Sequence, residues 1–185
     1  MAYAITDHRL GLTPLANNDA GVQINGAGVF MPPFGVGQAP GAVIRARDPI
    51  YGEGEFIYLQ GVAATVVGSL VTWAGVNGLT VQSFQTAIAP STANLAQPLA
   101  VSMSVNLANS WGWYQIAGNA VVATNGTLAT GPAPVYISAT AGQVTSVATA
   151  GKQIENAVNV SATGTPAVGL AIVSMDRPHA QGAIT

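Results

Sequence analysis

The sequence predicts an all-β protein, a short-stranded barrel or sandwich carrying an extended N-terminal arm. Three observations predict it. From Val43 onward, short β-branched and aromatic runs alternate with glycine-centred turn signals. No apolar stripe of helical period persists over the length a stable helix needs. Residues 1–44 are instead crowded with turn formers, leaving room only for short extended pieces.

The arm comes first. Asn17-Asn18-Asp19, Asn25-Gly26, Pro32-Pro33, Gly35, Gly37 and Pro40-Gly41 interrupt any regular element. Pro32-Pro33 blocks helix and central strand alike, so this part is expected to lie across a surface, its own or a neighbour's. The body then spans 45–185. Its first strands are expected in AVIRARD and in Glu55-Phe56-Ile57-Tyr58-Leu59, where alternation is visible, and then in Ser69-Leu70-Val71-Thr72-Trp73. Further strands are expected at 79–84, 99–105, 113–116, 120–123, 134–138, 144–148, 158–161 and 169–175. Asn77-Gly78, Gly118-Asn119, Asn125-Gly126, Gly131-Pro132 and Ala141-Gly142 are read as the turns between them. One helical turn after Pro90, within 87–96, is the only helical candidate. LAVSMSV (99–105) and VGLAIVSM (168–175) echo each other, which predicts stacked hairpins sharing a barrel wall; no fixed period marks a solenoid.

Composition narrows the function. The 185 residues include five Lys or Arg and seven Asp or Glu, so 6% are charged, against about 25% in an ordinary soluble domain. No charged residue occurs from Phe56 to Gly151. Thr, Ser, Asn, Gln and Gly must cover such a surface, or other subunits must. A net charge of −2 and four scattered arginines (Arg9, Arg45, Arg47, Arg177) exclude a phosphate-neutralising stripe, so nucleic acid is not an expected partner. Mean hydropathy is +0.40, and Gly61–Val76 runs uncharged. That run is shorter than the ~20 apolar residues of a membrane helix and lacks basic anchors, so no membrane partner is expected. Asp7, His8 and Arg9 stand where a secretory signal would have its apolar stretch. With no cysteine, disulfides and thiol chemistry are excluded.

No catalytic constellation is visible, and no enzyme or cofactor is expected. His8 and His179 lie near opposite ends, in segments read as exposed tails, so no base serves a Ser or Thr nucleophile. Gly151-Lys152 lacks the upstream glycine of a phosphate loop. Asp48, Glu53 and Glu55 are the only clustered carboxylates. They are too few for a dedicated calcium loop, and GEGE is read as a solvated strand entrance. Trp111-Gly112-Trp113-Tyr114 is the densest aromatic cluster, with three readings: a core plug with Trp113 inward and Trp111 and Tyr114 at the rim, an interface anchor, or a sugar platform. Asn125 and Asn159 open glycosylation sequons that are read as chance.

DPIYGEGEFIYLQGVAATVVGSLVTW (48–73), PLAVSMSVNLANSWGWYQIAGNAVVAT (98–124) and the closing Gly169-Leu170-Ala171-Ile172-Val173 resemble structural proteins of tailed phages and prophages. The resemblance covers mainly residues 45–175. It implies a capsid decoration, or cement, protein on the head surface of the virion. Its implied partners are the major capsid protein and itself, as a homotrimer. Expected contact residues are Val29, Phe30 and Phe34 of the arm, Arg45 and Arg47 against acidic capsid loops, and Trp111. The low charge departs from many decoration proteins and keeps a head-fibre or tail component, binding a host receptor, as the alternative.

Overall fold

The computed structural model describes residues 4–5, 41–74, 84–108 and 111–183. Eleven strands, β1 (Ala4–Ile5), β2 (Val43–Asp48), β3 (Gly52–Gln60), β4 (Leu70–Ala74), β5 (Gln85–Ile88), β6 (Leu99–Ser102), β7 (Trp111–Ala123), β8 (Ala133–Ile137), β9 (Val144–Thr145), β10 (Gln153–Asn159) and β11 (Leu170–Ala180), join in one mixed sheet. The all-β expectation holds, and the described residues contain no helix. Within 87–96, Asn94 and Ala96 instead adopt left-handed φ angles of 58° and 49°.

Residue periodicity explains how one sheet builds several cores. Successive side chains on a strand point to opposite faces. On β3, Phe56 and Tyr58 face one way, against Ile44 and Ala46 of β2 and Trp111 and Trp113 of β7. Ile57 and Leu59 face the other way, meeting Val71, Ala100, Tyr114 and Ile116. That second group fills a five-strand ring, because β3 pairs β7, β7 pairs β6, β6 pairs β4, β4 pairs β5, and β5 returns to β3. The ring closes through a single pair, Gln60 with Gln85. The Gln60 N–H donating to the Phe84 carbonyl at 2.9 Å and the Thr86 hydroxyl donating to the Gln60 carbonyl at 2.7 Å reinforce it.

A sandwich-like layer grows from the same strands. Leu70 of β4 and Leu99 and Val101 of β6 turn away from the ring and pack against Ala120 and Val122 of β7, Ala171, Val173 and Met175 of β11, and Val135, Ile137, Val144 and Ile154. Each fully buried large aliphatic or aromatic side chain contributes about 1.5–3 kcal/mol. The composition is rich enough in them to sustain these cores without cross-links.

β7 joins ring and sandwich. Ala117 stands opposite Glu55 of β3 on one edge and opposite Asp176 of β11 on the other. Here the sequence reading needs correction: 113–116 and 120–123 are one 13-residue strand, and Gly118-Asn119 is not a turn. Gly118, two residues beyond Ile116, where the register with β3 slips between Glu55 and Phe56, has φ +91°, and a Cβ there would run into the Glu53 carbonyl. Only glycine combines that φ with so close a backbone approach. The strand expected at 158–161 is β10, ending at Asn159, and the strand expected at 169–175 continues to Ala180 through Pro178. β6 and β11, which hold the echoed segments, lie along the same edge of β7 and are not each other's hairpin partner. The body begins at Val43, and apart from Ala4–Ile5 and 41–44 the arm lies outside the described residues.

Candidate interaction site

Three surfaces follow from this architecture. The first is a cavity of about 460 Å³ at one mouth of the ring, lined chiefly by Val43, Ile57, Trp73, Phe84 and Ile116, with Arg177 and His179 on β11. The wall is apolar because ring-facing residues of β2, β3, β4 and β7 converge there. Arg177 has φ 47°, left-handed for a residue with a side chain.

Beside that cavity lies a charged clamp. Arg45 and Glu55 are cross-strand partners on β2 and β3, with Arg45 Nε donating to Glu55 Oε1 at 3.0 Å. Arg177 donates to Glu55 Oε2, also at 3.0 Å. Burial pushes the Glu55 carboxyl up, but hydrogen bonds and charge from Arg177 and Arg45 outweigh it and hold the group below its usual range. Glu55 is thus neither a free base nor an open ligand. Asp48 is likewise engaged: its side chain is buried and accepts the backbone N–H groups of Ile50 and Tyr51 at 2.7 and 3.0 Å. Among the described residues, no three His, Asp or Glu side chains gather as a metal site would require.

The third surface is aliphatic. Val66, Val67, Val105 and Leu107 are 41–57% exposed. Their loops are tied beneath by Thr65, whose hydroxyl donates to the Asn106 carbonyl at 2.7 Å and accepts the Asn106 N–H at 3.1 Å. Ser102 and Ser104 extend this buried network, with Ser104 Oγ donating to Asn106 Oδ1 at 3.3 Å. The outward side chains therefore stand on a braced platform, within the stretch that has no charge.

The expected contact residues separate. Val29, Phe30 and Phe34 lie outside the described residues, as do His8 and the strand expected at 79–84 except Phe84. Arg45 is in the clamp, and Arg47 is exposed opposite Glu53. Trp111 and Tyr114 are not at a rim. Trp111 is 4% exposed and stacks on Tyr58 with ring centroids 5.7 Å apart, so it offers a partner no surface in this fold. Tyr114 faces the ring interior near Thr86, Asn106 and Ser102, and burial pushes its phenol pKa up. His179 is not in a tail: it lies on β11 opposite Glu155 and bridges to Pro98. Asn159 is buried and structural, its Oδ1 accepting the Ala133 N–H at 2.9 Å while its Nδ2 donates to the Ala129 carbonyl.

Sequence reasoning reaches none of the three surfaces: it assigns Arg45 to capsid loops and Glu55 to a solvated strand entrance, whereas the two meet Arg177 in the clamp. The aliphatic platform needs loops 40 residues apart to meet, and the cavity needs β11 to reach back over the ring. Of Gly61–Val76, weighed as a spanning run, the described part 61–74 forms a loop and β4, and no described helix is long and apolar enough to cross a membrane. Compared with known proteins, the chain matches no family model and no curated protein.

Proposed function

We propose that this chain is a non-enzymatic virion subunit, a phage capsid decoration protein that seats on the outer head surface and bridges major capsid subunits, assembling with copies of itself as a homotrimer. The observation that carries the reading is the platform of Val66, Val67, Val105 and Leu107. Apolar side chains grouped on a braced, uncharged surface gain free energy when a partner removes them from water. The low charge works the same way, since few ionic groups need desolvation when a large interface closes. The resemblance of the Asp48–Trp73 and Pro98–Thr124 segments to phage structural proteins supplies the specific partner.

The mechanism is mechanical. A subunit that binds the assembled shell and not its separated parts stabilises the shell by mass action, in proportion to its affinity. The test is co-sedimentation of the purified chain with capsids lacking it, with Leu107→Asp as the comparison. Saturable binding that Leu107→Asp weakens at least tenfold supports the reading. Absence of shell binding, with adsorption to host cells instead, replaces it with a receptor-binding fibre or tail component.

A further inference from the structure

We infer that a groove on the outer face of β8, β10 and β11 binds a neutral saccharide unit. The groove shares no residue with the Val66, Val67, Val105 and Leu107 platform, and its ligand is tested on the isolated chain.

Two mismatched registers make the groove. Between β10 and β8, Gln153 pairs with Tyr136 and Val158 with Pro134, which leaves residues 154–157 against Val135 alone. Between β10 and β11, Glu155 pairs with His179 and Ala157 with Met175, which leaves Asn156 against residues 176–178. Asn156 and Arg177, both within the second mismatch, have left-handed φ angles of 58° and 47°. Irregularities of this kind bend a strand and re-aim its side chains. Val135 and Met175 point into the core, so their neighbours Pro134, Ser174 and Asp176 point outward. Gln153, Asn156, Ser174 and Asp176 thus border a depression of about 360 Å³ whose lining is otherwise apolar, Val158 and Pro134 included. That volume lies in the range of small-molecule sites.

The polar groups select the ligand. Asp176 only accepts hydrogen bonds when ionised, whereas the amides of Gln153 and Asn156 and the Ser174 hydroxyl both donate and accept. Among the described residues, these four side chains make no hydrogen bond or ion pair with one another or with a neighbour. No Lys, Arg or His lines the groove, and Asp176 repels anions, so a phosphate or carboxylate does not fit. One carboxylate is too few for a hard cation, which gathers several oxygen ligands. A wholly apolar ligand would strip water from four polar side chains and replace none of it. A neutral sugar ring meets both demands. Its hydroxyls donate to Asp176 and exchange hydrogen bonds with the amides, and its C–H face covers Val158 and Pro134. Half-buried Tyr136, two residues from Pro134 and opposite Gln153, stands on the same face of β8 and adds an aromatic surface there. The buried Trp111 cannot serve a sugar in this way, whereas Asn156 and Asp176 are exposed.

The test is saturation-transfer NMR of the full-length chain with the methyl glycosides of glucose, galactose, mannose and N-acetylglucosamine. Thermal melts with inorganic phosphate and with calcium chloride run beside it. The expected result is saturable binding of at least one glycoside, weakened about tenfold or more by Asp176→Ala and by Asn156→Gly. Glycine keeps the left-handed backbone at 156 without strain, and Asp176 is exposed, so both variants should melt with the unsubstituted chain. No binding of any glycoside, or an affinity unchanged in both variants, overturns the inference. So does stabilisation by calcium or phosphate in place of a glycoside.

Discussion

Arg177 and Glu55 are 122 residues apart in the chain, yet the guanidinium of one donates to the carboxylate of the other at 3.0 Å. Glu55 takes Arg45 on its other oxygen, so one carboxylate ties β2, β3 and β11 together beside the cavity. The arginines are well exposed and the carboxylate is 17% exposed, which keeps the clamp modest in energy while fixing its geometry.

Replacing Glu55 with Gln should therefore cost about 1 kcal/mol, near the upper range for exposed ion pairs. Because the carboxyl's folded pKa lies below its unfolded value, its contribution is present above pH ~4.5 and is lost as pH falls through the folded pKa. Chemical denaturation from pH 7 to pH 3 should show a shallower acid loss in Glu55→Gln than in the unsubstituted chain.

Two tyrosines give the alkaline counterpart. Burial pushes Tyr58 up to about 12 and Tyr114 in the same direction. A phenol whose folded pKa is raised adds stability fully below pH ~10, and that stability is lost as pH rises toward 12. Ultraviolet titration should show these two phenols ionising only as the fold is lost.

Trp111→Ala should act on stability before it acts on any partner. The ring is buried against Tyr58, so truncation should cost about 3–5 kcal/mol, readable in a urea melt of the isolated protein. An unchanged midpoint would mean that the ring is not part of this core.

At Gly118, alanine has to adopt φ +91° with its Cβ against the Glu53 carbonyl. The expected penalty is about 1–3 kcal/mol, lowering the melting temperature by several degrees. Gly126, also at positive φ but with open space around it, is the control and should cost less.

These same residues mark what the sequence makes legible. The run Glu55-Phe56-Ile57-Tyr58-Leu59 announces a strand, and β3 forms there; that Phe56 to Leu59 are buried on both faces emerges only in the fold. Gly118-Asn119 reads locally as a turn, but Gly118 pairs with Gly54 of β3 on one edge of β7 and with Met175 of β11 on the other, and the strand runs through it. The second half of β11 and the first part of β10 escaped for a related reason. Asp176, Arg177, Pro178 and His179 look like a tail until Glu55, Pro98 and Glu155 receive them. Trp111 was readable as aromatic and not as buried, since its burial depends on Tyr58, 53 residues earlier. The cavity is a product of closure alone: Trp73, Ile116 and Arg177 share no sequence pattern.

The central claim, that the chain is part of a capsid shell, is tested most directly by cryo-electron microscopy of purified virions. The account predicts density for this fold on the outer head surface, as multimers across major capsid subunits, with the Val66–Leu107 platform against the shell. Density confined to a tail or fibre, or none in the particle, would contradict it.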